Sequence, residues 1–202
     1  MIRALCLALM LAAPAVADPA FDAAVLAEVN RARTQPQSVV QDLMALRSSY
    51  GPEGYFRNLS GGPLWSSNEG VAAIDEAIDF MKRMKPRRPL APGALLFAAA
   101  ADHTAEQGPR GTIGHVSDGG LWPADRLRRR GGGRHVAEAI SYGSGEPRDV
   151  VLQLIIDDGV PDRGHRKLLL DNGYDHGGAA CGPHIRYGLM CTIELSDSAD
   201  GK

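Results

Sequence analysis

No long apolar run interrupts this sequence after its first residues. The stretch from Ala4 to Ala15 is about a dozen residues, where a membrane-spanning helix needs roughly 20. Excess charge of one sign is also missing, the formal net charge being −2. That balance argues against a nucleic-acid-binding surface. The local basic runs, Pro86-Arg87-Arg88-Pro89 and Arg126 to Arg130, read as solvated faces rather than polyanion sites. Cysteine is scarce, with three in 202 residues. This excludes a disulfide-dense scaffold and leaves a core built by packing, which a chain of this length can supply. Internal repeats and low-complexity tracts are absent.

What is present begins with an export signal. Arg3 supplies a positive start, the apolar stretch follows, and Ala15-Val16-Ala17 has the small-x-small pattern of a cleavage site. Residues 1–17 are therefore expected to be a signal peptide, and residues 18–202 a single domain, periplasmic or released. Cleavage leaves Cys181 and Cys191, an even pair that in an exported chain favours a disulfide. They flank a Gly-Pro-containing connection that reads as a hairpin, so symmetric pairing would set them opposite each other. Two reduced, buried thiols are the alternative.

The periodicities alternate between helix and strand. Asp18 and Pro19 suit a helix start, and Phe21, Val25 and Val29 share a face. Pro36 opens a second helix through Val39, Val40, Leu43 and Leu46. Val71, Ile74, Ile78 and Met81 are a third amphipathic face, with Ser66 and Glu69 at capping-box spacing before it. Further helices are expected over Ala94 to Gln107, Trp122 to Arg130, Pro147 to Asp158 and His165 to Leu170. Val136 to Ile140 reads as a strand, and Ala179 to Cys181 with Met190 to Leu195 as a closing hairpin. Helices packed on an antiparallel or mixed sheet would bury these faces, an α+β fold.

Three segments place a potential ligand in a chemically suggestive setting: Gly114-His115-Val116-Ser117-Asp118, Val136-Ala137-Glu138-Ala139-Ile140 and Asp162-Arg163-Gly164-His165-Arg166. Two imidazoles and a carboxylate with an open position would suit zinc, although no short His-x-x-x-His unit is present. Ser117 beside His115 is read as a turn residue rather than a nucleophile. His103 reads as core or cleft wall, and His184 as a turn residue.

In order, these segments resemble the CAP superfamily, the SCP-like cysteine-rich secretory proteins, and especially its bacterial secreted branch. The resemblance rests on "VLAEVNRART", "GHVSDGGLWPADRL" around His115, "AEAISYG" around Glu138, "RGHRKLLL" around His165, and "GGAACGPHIRYGLMCTIEL" at the close. It implies a three-layer α-β-α sandwich with a central antiparallel sheet, and a cleft lined by two histidines and two acids. His115, Glu138 and His165 match three of these. In several members the histidines hold a divalent metal, usually zinc, so His115 and His165 are the expected metal ligands. Ala137 and Ala139 replace the usual neighbours of Glu138. The second acid has no clear match: Asp158 is placed ahead of Asp157 and Asp162 because it continues the Val151, Leu154, Ile155 face. Three functions follow. The first is a monomeric binding protein for a small lipid-, sterol- or glycan-like ligand. The second is a metal-dependent hydrolase with Glu138 and Asp158 as catalytic carboxylates. The third is a non-catalytic interaction module.

Overall fold

The structure is a computed structural model and describes residues 18–57 and 64–202. The expected signal peptide, residues 1–17, lies outside the described residues. Asp18 caps the first helix as its position predicts, its carboxylate accepting the Ala20 N–H at 2.9 Å. Helix α1 (Pro19–Thr34) buries Val25, Leu26 and Val29, and α2 (Pro36–Ser48) buries Val39, Val40, Leu43 and Leu46. Helix α3 (Val71–Arg83) buries Ile74, Ile78 and Met81. Full burial of each such side chain contributes about 1.5–3 kcal/mol. The Ser66/Glu69 capping box does not form. Helix α3 starts after Gly70 at φ 63°, and Glu69 instead accepts from Arg163 at 2.6 and 2.7 Å and from the Gly159 N–H at 2.7 Å. Two charge-assisted bonds to one guanidinium outweigh one neutral cap.

A two-stranded ribbon joins β1 (Tyr55–Phe56) to β2 (Trp65–Ser66). The main sheet holds β3 (Ala91–Pro92), β4 (Ala137–Tyr142), β5 (His176–His184) and β6 (Gly188–Ser196) in the order β3-β5-β6-β4. β5, β6 and β4 are antiparallel, and β3 adds a short parallel edge. The sheet is thus mixed, with the expected antiparallel centre. Cys181 stands opposite Cys191 in the hairpin and is disulfide-bonded to it.

Alternation along the hairpin divides the core into two sides. Ala179, Cys181, Cys191, Ile193 and Leu195 join the core of α1, α2, α3, α6 (Pro147–Ile156) and α7 (Gly164–Leu169). The opposite face meets α4 (Ala94–Arg110), where Thr104 Oγ1 lies 3.0 Å from both Ala180 O and Thr192 Oγ1. Leu96 and Ala99 of α4 pack with Leu127 of α5 (Pro123–Arg129). Helices therefore cover both faces of the sheet, a three-layer α-β-α arrangement of the α+β class. No helix among the described residues is long and apolar enough to cross a membrane.

The approach of α4 to β5 depends on Gly178. A Cβ there would lie 2.7 Å from Leu96 C and 2.9 Å from Phe97 Cα, both backbone atoms that cannot rotate aside. Gly178→Ala is expected to lower unfolding free energy by about 3 kcal/mol, the upper end for an overpacked core. Urea denaturation reads this as a lower midpoint at unchanged slope; an unchanged midpoint would contradict the close packing.

Candidate functional site

Strand β4 is the open edge of the sheet, and its alternation puts Glu138, Ile140 and Tyr142 on the α4 side. Glu138 is buried and accepts from His115 Nδ1 at 2.8 Å. Its other oxygen pairs with Arg126 of α5, which is also buried. Arg126 NH1 donates further to His115 O at 2.9 Å and to Ser117 Oγ and Leu121 O, each at 3.3 Å. One guanidinium therefore fixes both the acid and the backbone that carries His115. The same loop is tied to α4. Gly114 O accepts from Gln107 Nε2 at 2.8 Å and from His103 Nε2 at 2.9 Å, while the Gly114 N–H donates to the Tyr142 hydroxyl at 3.0 Å.

Glu138 has a buried neighbour across the ladder, Glu194 of β6. Arg126 NH2 stands 3.5 Å from Glu194 Oε1, and both Glu194 oxygens lack a well-formed hydrogen bond among the described residues. Burial, reinforced by the charge of Glu138, pushes the Glu194 carboxyl well above the usual carboxylate range. Arg126 thus pairs with Glu138 beside a Glu194 carboxyl that keeps its proton to higher pH than an ordinary one.

The second histidine is built differently. Helix α6 ends at Ile156, and Asp157 takes the left-handed conformation at φ 57°. That turn aims its carboxylate at the start of α7. Oδ1 meets His165 Nδ1 at 2.7 Å, and Oδ2 accepts the N–H groups of His165 and Arg166 at 2.9 and 3.3 Å. The hydrogen bond to Asp157 holds the His165 imidazole pKa above its ordinary value, against burial. The acid bonded to His165 is Asp157 and not the expected Asp158, because the left-handed residue ends the helical face that Asp158 would continue. Asp158 instead accepts the N–H groups of Asn68 and Glu69 at 2.6 and 2.9 Å.

Beside the β4 edge lies a cavity of about 320 Å³. Phe56, Trp65, Ile74, Ile140 and Leu154 form its apolar wall, with Asn68, Gln153, Asp157, Asp158 and His165 as polar groups. Tyr142 also lines it, while its hydroxyl binds the His115 loop and donates to Gln107 at 3.0 Å. Tyr142 therefore links the two histidine–acid pairs at the β4 edge, with His165 among the cavity's lining residues and His115 outside them. The pairs are not one cluster: among the described residues no three His, Cys, Asp or Glu side chains converge as a metal-binding group.

Comparison with known proteins gives fold neighbours only. The chain is similar to an extracellular SCP-domain protein from Bacillus anthracis, at 19% identity and TM-score 0.47, over 55% of this chain and 35% of that one. It is also similar to a cysteine-rich secretory protein from Staphylococcus aureus, at 16% identity and TM-score 0.38, over 69% and 40%. The chain thus spans under half the length of either. No protein-family model matches it, and no curated protein does.

Arg126, Glu194, Tyr142 and Asp157 are the residues that sequence reasoning missed or ranked low. Of the remaining histidines, buried His103 meets Ser117 Oγ at 2.8 Å, and burial holds its imidazole below its ordinary value. Ser117 is itself buried, and His103 Nε2 bonds a carbonyl rather than a carboxylate, so the pair is not a hydrolase triad. His184 bonds Thr112 O at 2.9 Å and receives the Arg186 N–H at 3.3 Å.

The Glu194 proton generates a pH dependence. The folded chain retains that proton at pH values where the unfolded chain has released it. This costs no stability below the unfolded carboxyl pKa, and stability falls as pH rises above it. Glu194→Gln keeps the neutral shape and is expected to flatten that fall, which for one proton is at most about 1.4 kcal/mol per pH unit. Urea midpoints measured from about pH 4, near the unfolded carboxyl pKa, to about pH 9 check this; parallel curves for both proteins would contradict it.

Proposed function

We propose that this chain is an exported CAP-type domain that binds a small ligand with an apolar body and a hydrogen-bonding end. The observation that carries the reading is the cavity at the β4 edge, whose apolar wall faces a few polar groups around His165. Its volume falls at the lower end of small-molecule sites, about 300–1,000 Å³. His165 is held by Asp157 through Nδ1, so Nε2 is presented for a ligand oxygen, as a donor when the ring is charged and an acceptor when it is neutral. The motif order around His115, Glu138 and His165 supports the family reading. The disulfide and the signal-like start support export.

A second reading is metal binding, favoured by one observation. Each ring gives Nδ1 to a carboxylate, and no hydrogen bond to either Nε2 occurs among the described residues. That is the orientation of a metal-ligating imidazole backed by an acid. The donor set fits in type but supplies two protein ligands, so His115 and His165 would hold the ion with the remaining positions open. A bound zinc would lower the pKa of its water towards neutrality, the chemistry of a hydrolase.

Isothermal titration against fatty acids, sterols and cell-wall glycan fragments tests the first reading. Saturable binding to at least one class is expected, with loss in Ile140→Trp, which fills the cavity. Silence across the panel, or binding that survives Ile140→Trp, would contradict it. Zinc content after purification without chelators tests the second. His115→Ala combined with His165→Ala should abolish uptake, and unchanged uptake would exclude this site.

A further inference from the structure

The basic run at Pro86 is not simply a solvated face. A second cavity, of about 460 Å³, is lined by Phe80, Arg83, Lys85, Pro86, Arg87 and Asn172 among others, and no carboxylate is among its lining residues. It lies between the end of α3 and the segment joining α7 to β5. None of Arg83, Lys85 and Arg87 has an ion-pair partner among the described residues. The acids that flank Asn172 in sequence are engaged elsewhere, and Asp79 of α3 is not among the lining residues. Asp175 pairs with Arg88 at 2.8 Å, and Asp171 accepts the Gly173 N–H at 2.7 Å. Three cations facing one concavity repel each other, and burial of the Arg87 Nε leaves that donor without a hydrogen bond. A buried donor in that condition is destabilising, which an acceptor in the cavity would offset.

Both walls are held by a single side chain. Arg33, fully buried in α1, donates from Nε to Arg88 O at 2.9 Å. From its other end it donates to Leu169 O at 2.9 Å, Asp171 O at 2.8 Å and Tyr174 O at 3.1 Å, in the segment that carries Asn172. The Arg87 N–H donates to Arg33 O at 2.7 Å. Pro86 and Pro89 fix φ on either side of Arg87 and Arg88. The backbone that presents the cations is therefore set before any ligand arrives, which reduces the ordering cost of binding.

We propose that this cavity is a binding site for a phosphate-type oxyanion, held by Arg83, Lys85 and Arg87 with the Asn172 amide as an added donor. The guanidinium forks match phosphate oxygens in pairs, and the ammonium supplies a point charge. Phe80 and Pro86 offer apolar contact to whatever carries the phosphate. The same chemistry arises from a free phosphate compound or a phospholipid headgroup. The site is separate from the β4 cavity and does not rest on the reading of it.

The test is titration of the folded chain with inorganic pyrophosphate at constant ionic strength, and sedimentation with phosphatidylcholine vesicles with and without phosphatidylglycerol. Saturable pyrophosphate binding is expected, weakened about tenfold or more in Lys85→Gln and further in Arg83→Gln/Lys85→Gln/Arg87→Gln, the loss typical of removed charged hydrogen bonds. Binding confined to phosphatidylglycerol vesicles, with the same sensitivity, assigns the site to a lipid headgroup. Arg128→Gln/Arg129→Gln, exposed cations on α5, is the control and should bind as wild type. Lys85 is exposed, so its variant isolates charge from folding, and melting temperatures in chloride check the triple variant. No binding to either probe, or equal weakening in the α5 control, overturns the proposal.

Discussion

The Arg126–Glu138 ion pair is the interaction on which the candidate site depends. It joins a short helix to the edge strand of the sheet, and the same guanidinium holds the carbonyl of His115 and the hydroxyl of Ser117. Both partners are buried, so each needs the other: removing one side of such a pair typically costs about 3–5 kcal/mol. Glu194 completes the balance. Burial and the neighbouring Glu138 disfavour a charge on Glu194 and raise its carboxyl pKa, so a second anion in the core is resisted. His115 is thus oriented by groups that are also part of the fold's interior.

The His165 side reaches a similar orientation by other means. Arg166 is buried and donates to Ile155 O and Ile156 O, with NH1 on Glu76 at 3.0 Å. Arg163, at φ 53°, joins Glu69 and Glu76. These contacts pin the turn between α6 and α7, where Asp157 stands in its left-handed conformation. The edge position of β4 then matters. Among the described residues no further strand pairs with it, so its open side leaves room for the cavity that Ile140 and Tyr142 line. Tyr142 reaches from that cavity to the His115 loop, and burial pushes its phenol above the usual value.

Much of the fold was legible because it follows periodicity. The three-four-three spacing of Val71, Ile74, Ile78 and Met81 marks α3, and the cysteines mark the hairpin with the right facing residues. The failures have specific causes. Arg126 begins a run of arginines whose composition gives no sign that one points inward; its neighbours Arg128 and Arg129 are exposed. Glu194 alternates with Ile193 and Leu195, which for a half-exposed sheet would turn it to solvent, yet α4 and α5 cover that face. Asp157 is hidden in the sequence because the apolar face of α6 points on to Asp158, two residues past the helix end at Ile156.

Two carboxylates each hold one imidazole through Nδ1, which leaves both Nε2 atoms without a hydrogen bond among the described residues. Long-range proton–nitrogen correlation spectra, recorded where both rings are neutral, read this directly. The account predicts a proton on Nδ1 and none on Nε2 for both His115 and His165, with His115 switching in Glu138→Gln and His165 switching in Asp157→Asn. An Nε2–H tautomer at either ring in the wild-type protein would contradict it.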